Sequence, residues 1–253
     1  MNLTRRSILS ASLAGSMGAA LTLPTHAAVP EGCGQQPNTA PALQPPLLLT
    51  DWAWLGRYRE DNAKLLARGA RVNVVFMGDS ITEGWARTDT DLFASDGSGP
   101  RGIVGRGISA QTTPQMLVRF QSDVVALRPG AVHIMAGTND IAGNTGPMAL
   151  EDTKNNFRAM CEIAKANKMF VVLGASPPAS RYWWSPATQP HDTVVALNEW
   201  LRDYAKQIGG AFADYAAALS DGKGGVNREL AKDEVHPNEQ GYAAMRRIVE
   251  AIL

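Results

Sequence analysis

Asp79 and Ser80 stand side by side directly after the apolar run Arg71-Val72-Asn73-Val74-Val75-Phe76-Met77 and a turn-forming Gly78. A serine hydroxyl becomes a useful nucleophile only when a base removes its proton, so the sequence has to supply an imidazole and something to orient it. Four histidines are present. His26 lies in an N-terminal export-like segment. His133 lies inside the apolar stretch Val132–Ala136 and reads as a core histidine, and His191 lies in a proline-containing loop ahead of a helical pattern and reads as a surface or cap residue. His236 remains, within Asp233-Glu234-Val235-His236-Pro237-Asn238. An acid three residues upstream can fold back onto the ring, fix its tautomer and stabilise its cation. Asn238 at the same time suits the cap of a final helix.

A carbonyl attacked by such a hydroxyl also needs donors for its developing negative charge. The Ser80 N–H, at a strand-to-helix turn, is one candidate. Gly107, in Arg106-Gly107-Ile108-Ser109, lets a backbone N–H come close to a substrate, and Asn139, in Gly137-Thr138-Asn139-Asp140, offers a side-chain amide. Asp79 reads as a structural residue bonding around the turn.

These residues are far apart in sequence, so secondary structure has to bring them together. Short, uniformly apolar runs at Val72–Met77, Val132–Ala136 and Met169–Gly174, with a weaker one at Gly102–Arg106, suit strands covered on both faces. Helical spacing of apolar residues marks Thr113–Leu127, Met148–Asn167, Val194–Ile208 and Glu239–Leu253. Alternation of the two types predicts a doubly wound α/β domain with a mainly parallel sheet. In such sheets ligands bind at the carboxyl ends of the strands, which is where the Asp79-Ser80 and Gly137–Asp140 clusters would emerge.

In order along the chain, Gly78-Asp79-Ser80, Gly107, Gly137-Thr138-Asn139-Asp140 and Asp233-Glu234-Val235-His236 resemble the four sequence blocks of the SGNH (GDSL-type) hydrolases. The resemblance runs from about residue 71 to the C-terminus. It implies a flavodoxin-like three-layer α/β/α sandwich and ester hydrolysis with no metal or organic cofactor. It also implies Ser80 as nucleophile, His236 as base and Asp233 as its orienting acid, with the Ser80 N–H, Gly107 and Asn139 as the oxyanion hole. Ile81 stands where the older family name has leucine, and Ala110 where related sequences often carry glycine. The G-x-S-x-G elbow of other serine hydrolases is absent here.

The substrate is less legible. Arg181, Tyr182, Trp183 and Trp184 follow the strand Met169–Gly174 and should overhang the same edge, with Trp85 near the nucleophile. Flat aromatic faces beside a cationic donor suit a sugar ring, an acyl-chain wall or a packed loop. With no long amphipathic lid insertion in the sequence, the expectation is a small-acyl esterase, acetyl esters of carbohydrate foremost. Alternatives are a lysophospholipase or thioesterase of the same family, or a glycan-binding protein that has lost the chemistry.

The remaining composition narrows partners and location. Twenty-four basic residues balance 24 acidic ones without a basic block, which argues against nucleic acid as a partner. A zinc centre lacks ligands, because only His236 is free for the site and no His-Glu-x-x-His motif occurs. Residues 1–28 carry Arg5-Arg6, the soft apolar run Ile8–Leu23 and small residues at Thr25-His26-Ala27-Ala28. That is the pattern of an export signal, twin-arginine-like or general secretory, and the run is short for a membrane span of about 20 residues. A periplasmic or secreted protein is expected, with a proline-rich lead-in at 29–50 and a single domain at 51–253. In an oxidising compartment Cys33 and Cys161 either pair or stay as two thiols.

Overall fold

The computed structural model describes residues 50–93 and 101–253. The export-like segment, nearly all of the lead-in and Cys33 lie outside the described residues, so the possible bridge to Cys161 falls there as well. Cys161 itself is buried.

Five parallel strands form one sheet: β1 (Val74–Gly78), β2 (Ile103–Gly107), β3 (Ala131–Met135), β4 (Phe170–Gly174) and β5 (Ala211–Ala213), in the order β2-β1-β3-β4-β5. Side chains alternate across the sheet because the pleat has a period of two. From β1, Val75 and Met77 pack on one face with Met116, Phe120, Phe157, Met160, Leu197 and Leu201. Val74 and Phe76 pack on the other with Ile81, Trp85, Tyr215, Tyr242, Met245 and Val249. Helices α3 (Thr113–Asp123), α5 (Leu150–Ala166) and α6 (His191–Gln207) therefore cover the first face, together with Leu65 of α1 (Arg59–Ala67). The second face is covered by α2 (Ser80–Thr88), α7 (Tyr215–Leu219) and α8 (Glu239–Glu250). A one-turn helix, α4 (Thr138–Ile141), follows β3. Three layers result, as the sequence blocks implied. No helix among the described residues is long and apolar enough to cross a membrane.

The elements match the expected ones within a residue or two at most ends. One departure is the stretch 113–127: α3 stops at Asp123 and the chain tightens into a 3-10 turn over Val125–Leu127, ending on left-handed Arg128. The strand order reverses between β1 and β3, one neighbour chain running to β2 and the other to β4 and β5. That reversal opens a crevice at the strands' carboxyl ends. The turns that leave β1 and β3 carry Asp79-Ser80 and Thr138-Asn139 to its two sides.

Candidate active site

Gly78, the last residue of β1, is glycine for a steric reason: a Cβ there would lie 2.1 Å from Thr82 Oγ1 and 2.8 Å from the Met135 carbonyl oxygen. Asp79 then caps α2, its carboxylate accepting the Ile81 N–H at 2.9 Å. Ser80 becomes the first helical residue, half-buried at the crevice. Burial pushes the Asp79 carboxyl up to about 6, against the pull of the Ile81 N–H and the nearby His236.

His236 arrives from the loop before α8, whose cap is Asn238, its side chain accepting the Gly241 N–H at 3.0 Å. The ring reaches across 156 residues of sequence: Ser80 Oγ and His236 Nε2 are 2.9 Å apart, and His236 Nδ1 and Asp233 Oδ2 are 2.8 Å apart. Asp233 Oδ1 accepts the N–H groups of Val235 and His236, each at 2.8 Å. Partial burial disfavours the Asp233 charge, but the hydrogen bonds from the His236 N–H, its ring and the Val235 N–H prevail and hold the carboxyl below the usual range. An anion so held orients the ring with Nε2 toward Ser80.

Gly107 and Asn139 come to the same rim. Gly107 pairs with Gly78 in the sheet register, and its carbonyl accepts from the Tyr58 hydroxyl. A Cβ at Gly107 would lie 2.2 Å from the Glu83 nitrogen and 2.7 Å from the Asp79 oxygen, so the first turn of α2 rests directly on this residue. The Asn139 amide donates to the Gln111 carbonyl at 3.0 Å and, at 3.4 Å, to Asp79 Oδ2. Its oxygen accepts from Asn144 Nδ2 at 2.8 Å, which fixes the amide's orientation.

The five residues proposed as aromatic or cationic substrate contacts separate. Trp85 does not face the crevice. It is fully buried, stacked on Tyr242 and edge-on to Phe76 and Tyr215, because it shares the core face of α2 with Ile81, one turn away. Tyr182 is also buried and lies under Trp184, ring on ring with centroids 4.9 Å apart, so it supports the surface instead of forming it. Trp184 remains half-buried at the rim, 6.5 Å from the His236 ring, and Trp183 is exposed. Arg181 is exposed and donates to Glu234, tying the aromatic loop to the loop that carries Asp233 and His236. His133 is a core residue, stacked on Phe76 and bonded to the Tyr215 hydroxyl at 3.0 Å, and burial depresses its imidazole to about 3.

Two supporting residues escaped the sequence reading. The buried Arg119 guanidinium donates to the Gly78 carbonyl at 3.0 Å and the Arg106 carbonyl at 2.8 Å, with Asp123 Oδ2 3.1 Å away. It thereby ties together the strand ends that precede Ser80 and Gly107. Its signal was an arginine between Met116 and Phe120 on the core side of α3. Glu83 accepts from both the N–H and the hydroxyl of Ser109, holding the loop after Gly107 against α2.

Residues 76–244 match the model of the GDSL-like lipase/acylhydrolase family. A solved GDSL-like lipase from Bacteroides thetaiotaomicron superposes with a TM-score of 0.72 at 38% identity, covering 79% of this chain and 97% of that one. An acetylxylan esterase from Xylanibacter ruminicola is 26% identical over 72% of this chain and 43% of its own length. Another, from Geobacillus stearothermophilus, is 24% identical over 71% of this chain and 92% of its own. The match thus spans less than half of the first esterase and nearly all of the second.

Proposed function

The chain belongs to the GDSL-like lipase/acylhydrolase family and so to the carboxylic-ester hydrolases, and from that premise we propose that it is an exported serine esterase removing small acyl groups, acetyl foremost, from carbohydrate. One observation carries the chemistry: the unbroken relay from Ser80 Oγ through His236 to Asp233, with separations of 2.9 and 2.8 Å.

Ser80 Oγ attacks the ester carbonyl carbon while His236 Nε2 takes the hydroxyl proton. The carbonyl oxygen becomes an oxyanion that the N–H groups of Ser80 and Gly107 stabilise, joined by the Asn139 amide once it exchanges its long 3.4 Å contact with Asp79 Oδ2 for the oxyanion, each donor contributing about 3 kcal/mol of barrier reduction. The tetrahedral species collapses, the C–O bond to the leaving alcohol breaks, and His236 returns the proton to that alcohol. Water, deprotonated by the same imidazole, then cleaves the acyl-enzyme and regenerates Ser80. Asp233 keeps the ring in one tautomer throughout and stabilises the imidazolium.

The carbohydrate assignment draws on the two acetylxylan esterases among the relatives and on the exposed indole of Trp183 beside Trp184 at the rim. Export draws on Arg5-Arg6 and the apolar run behind them. The test is acetate release from acetylated xylan against hydrolysis of long-chain p-nitrophenyl esters, wild type beside Ser80→Ala. Acetate release that vanishes with Ser80 is expected. Rapid turnover of long acyl chains with none from acetylated xylan contradicts the assignment.

A further inference from the structure

Two tryptophans outside the relay stand on an adjoining part of the molecule. Trp52 and Trp54, ahead of α1, are 40% and 39% exposed. With Ser109, Ala110, Asn144 and Thr145 they line a cavity of about 300 Å³, the lower end of the range for small-molecule sites. The segment that carries them is held firmly. Gln115 Nε2 donates to the Trp52 carbonyl at 2.7 Å and Gln111 Nε2 to the Ala53 carbonyl at 2.8 Å. Asp51 accepts the N–H groups of Leu55 and Gly56 at 2.8 and 2.9 Å. Trp54 has φ +53° and Ala110, which lines the same cavity, has φ +65°. A left-handed backbone costs a side-chain-bearing residue about 1–2 kcal/mol, and strain of this kind concentrates where a site must keep its shape.

The cavity adjoins the reaction site through one residue. Asn144 Nδ2 donates to Asn139 Oδ1 at 2.8 Å and to the Ala110 carbonyl at 3.2 Å, and its Oδ1 accepts from Trp184 Nε1 at 3.0 Å. One side chain thus joins the candidate oxyanion donor, the loop after Gly107 and the rim indole. Indole faces carry negative quadrupole charge that attracts the polarised C–H edges of a pyranose, while Ser109, Asn144 and Thr145 present polar groups to its hydroxyls. An acyl chain would have no use for that polar side.

We propose that the Trp52–Trp54 cavity is a sugar subsite, holding a residue of a glycan chain next to the one whose ester is cleaved. This rests on the carbohydrate-ester reading, and the experiment separates the two. Steady-state kinetics are compared for acetylated xylotetraose, monoacetylated xylose and p-nitrophenyl acetate, using Trp52→Ala, Trp54→Ala and the corresponding phenylalanine variants. The expected result is a selective loss: kcat/KM for the tetraose, relative to the other two esters, falls about tenfold, equivalent to about 1.4 kcal/mol. The change appears in KM, and phenylalanine restores most of it. Equal losses on all three esters, or none, overturn the subsite.

A second arm does not depend on turnover: isothermal titration calorimetry of unacetylated xylotetraose into Ser80→Ala. Binding that disappears when either tryptophan becomes alanine supports the proposal, and absence of binding overturns it. If wild type releases no acetate from either sugar, the carbohydrate reading fails by itself and this titration alone judges the cavity. A wild-type dimer that the tryptophan substitutions dissociate would place a second copy on this face and likewise overturn the subsite.

Discussion

Replacing Asp79 by asparagine isolates the cost of a buried charge beside the nucleophile. The residue is 2% exposed, and its carboxyl titrates near 6 instead of at the ordinary 3.8 because burial disfavours the anion. Between those values the folded protein binds more protons than the unfolded chain, so stability falls as pH rises through that window. The displacement of about two units amounts to about 3 kcal/mol in total, of which about 2 kcal/mol is traversed between pH 4 and 7. Asparagine keeps an acceptor for the Ile81 N–H but cannot ionise. Urea unfolding of both proteins at pH 4, 5, 6 and 7 reads the comparison. Any pH-independent effect of the substitution cancels in the difference between their stabilities. That difference should shift toward the variant by about 2 kcal/mol across the range. A difference that stays flat, or moves the other way, would refute the account of Asp79 as a desolvated carboxylate.

Other substitutions probe separate parts of the framework. Trp85→Ala empties the centre of the second core, so urea unfolding should show a loss of about 3–5 kcal/mol, while KM for p-nitrophenyl acetate at a temperature where the variant is folded should not rise. A large KM effect would return Trp85 to the substrate. Gly107→Ala forces a methyl against the Glu83 nitrogen and the Asp79 oxygen at 2.2 and 2.7 Å. A shift of the α2 turn by about 1 Å should cut kcat by about a hundredfold, and near-normal kcat would show that the turn tolerates the displacement.

Sequence showed the strand-to-helix turn at Ser80 and the Asp233–His236 pair plainly, because both clusters emerge from strong local patterns. It also showed His133 as a core residue. The misplacement of Trp85 had a readable remedy: Ile81 and Trp85 are one turn apart, and a residue in phase with a core isoleucine points away from the crevice. Tyr182 differs from its two neighbours only through stacking under Trp184, which no spacing rule reveals. β5 spans three residues after Gly209-Gly210, too short for a periodic signal. In α1 only Asn62 and Leu65 are buried, so no apolar stripe marks it. Trp52 and Trp54 sit at the end of a proline-rich stretch. Long-range hydrogen bonds from Gln111 and Gln115 hold them at the rim, and no local pattern announces those.

The central claim is that one hydroxyl in the chain is made nucleophilic by the His236–Asp233 pair. Labelling with a serine-reactive phosphonate, followed by peptide mass spectrometry, tests it most directly. The account predicts one equivalent of adduct on Ser80, none in Ser80→Ala and strongly slowed labelling in His236→Ala. An adduct on another serine, or labelling that proceeds unchanged without His236, would contradict it.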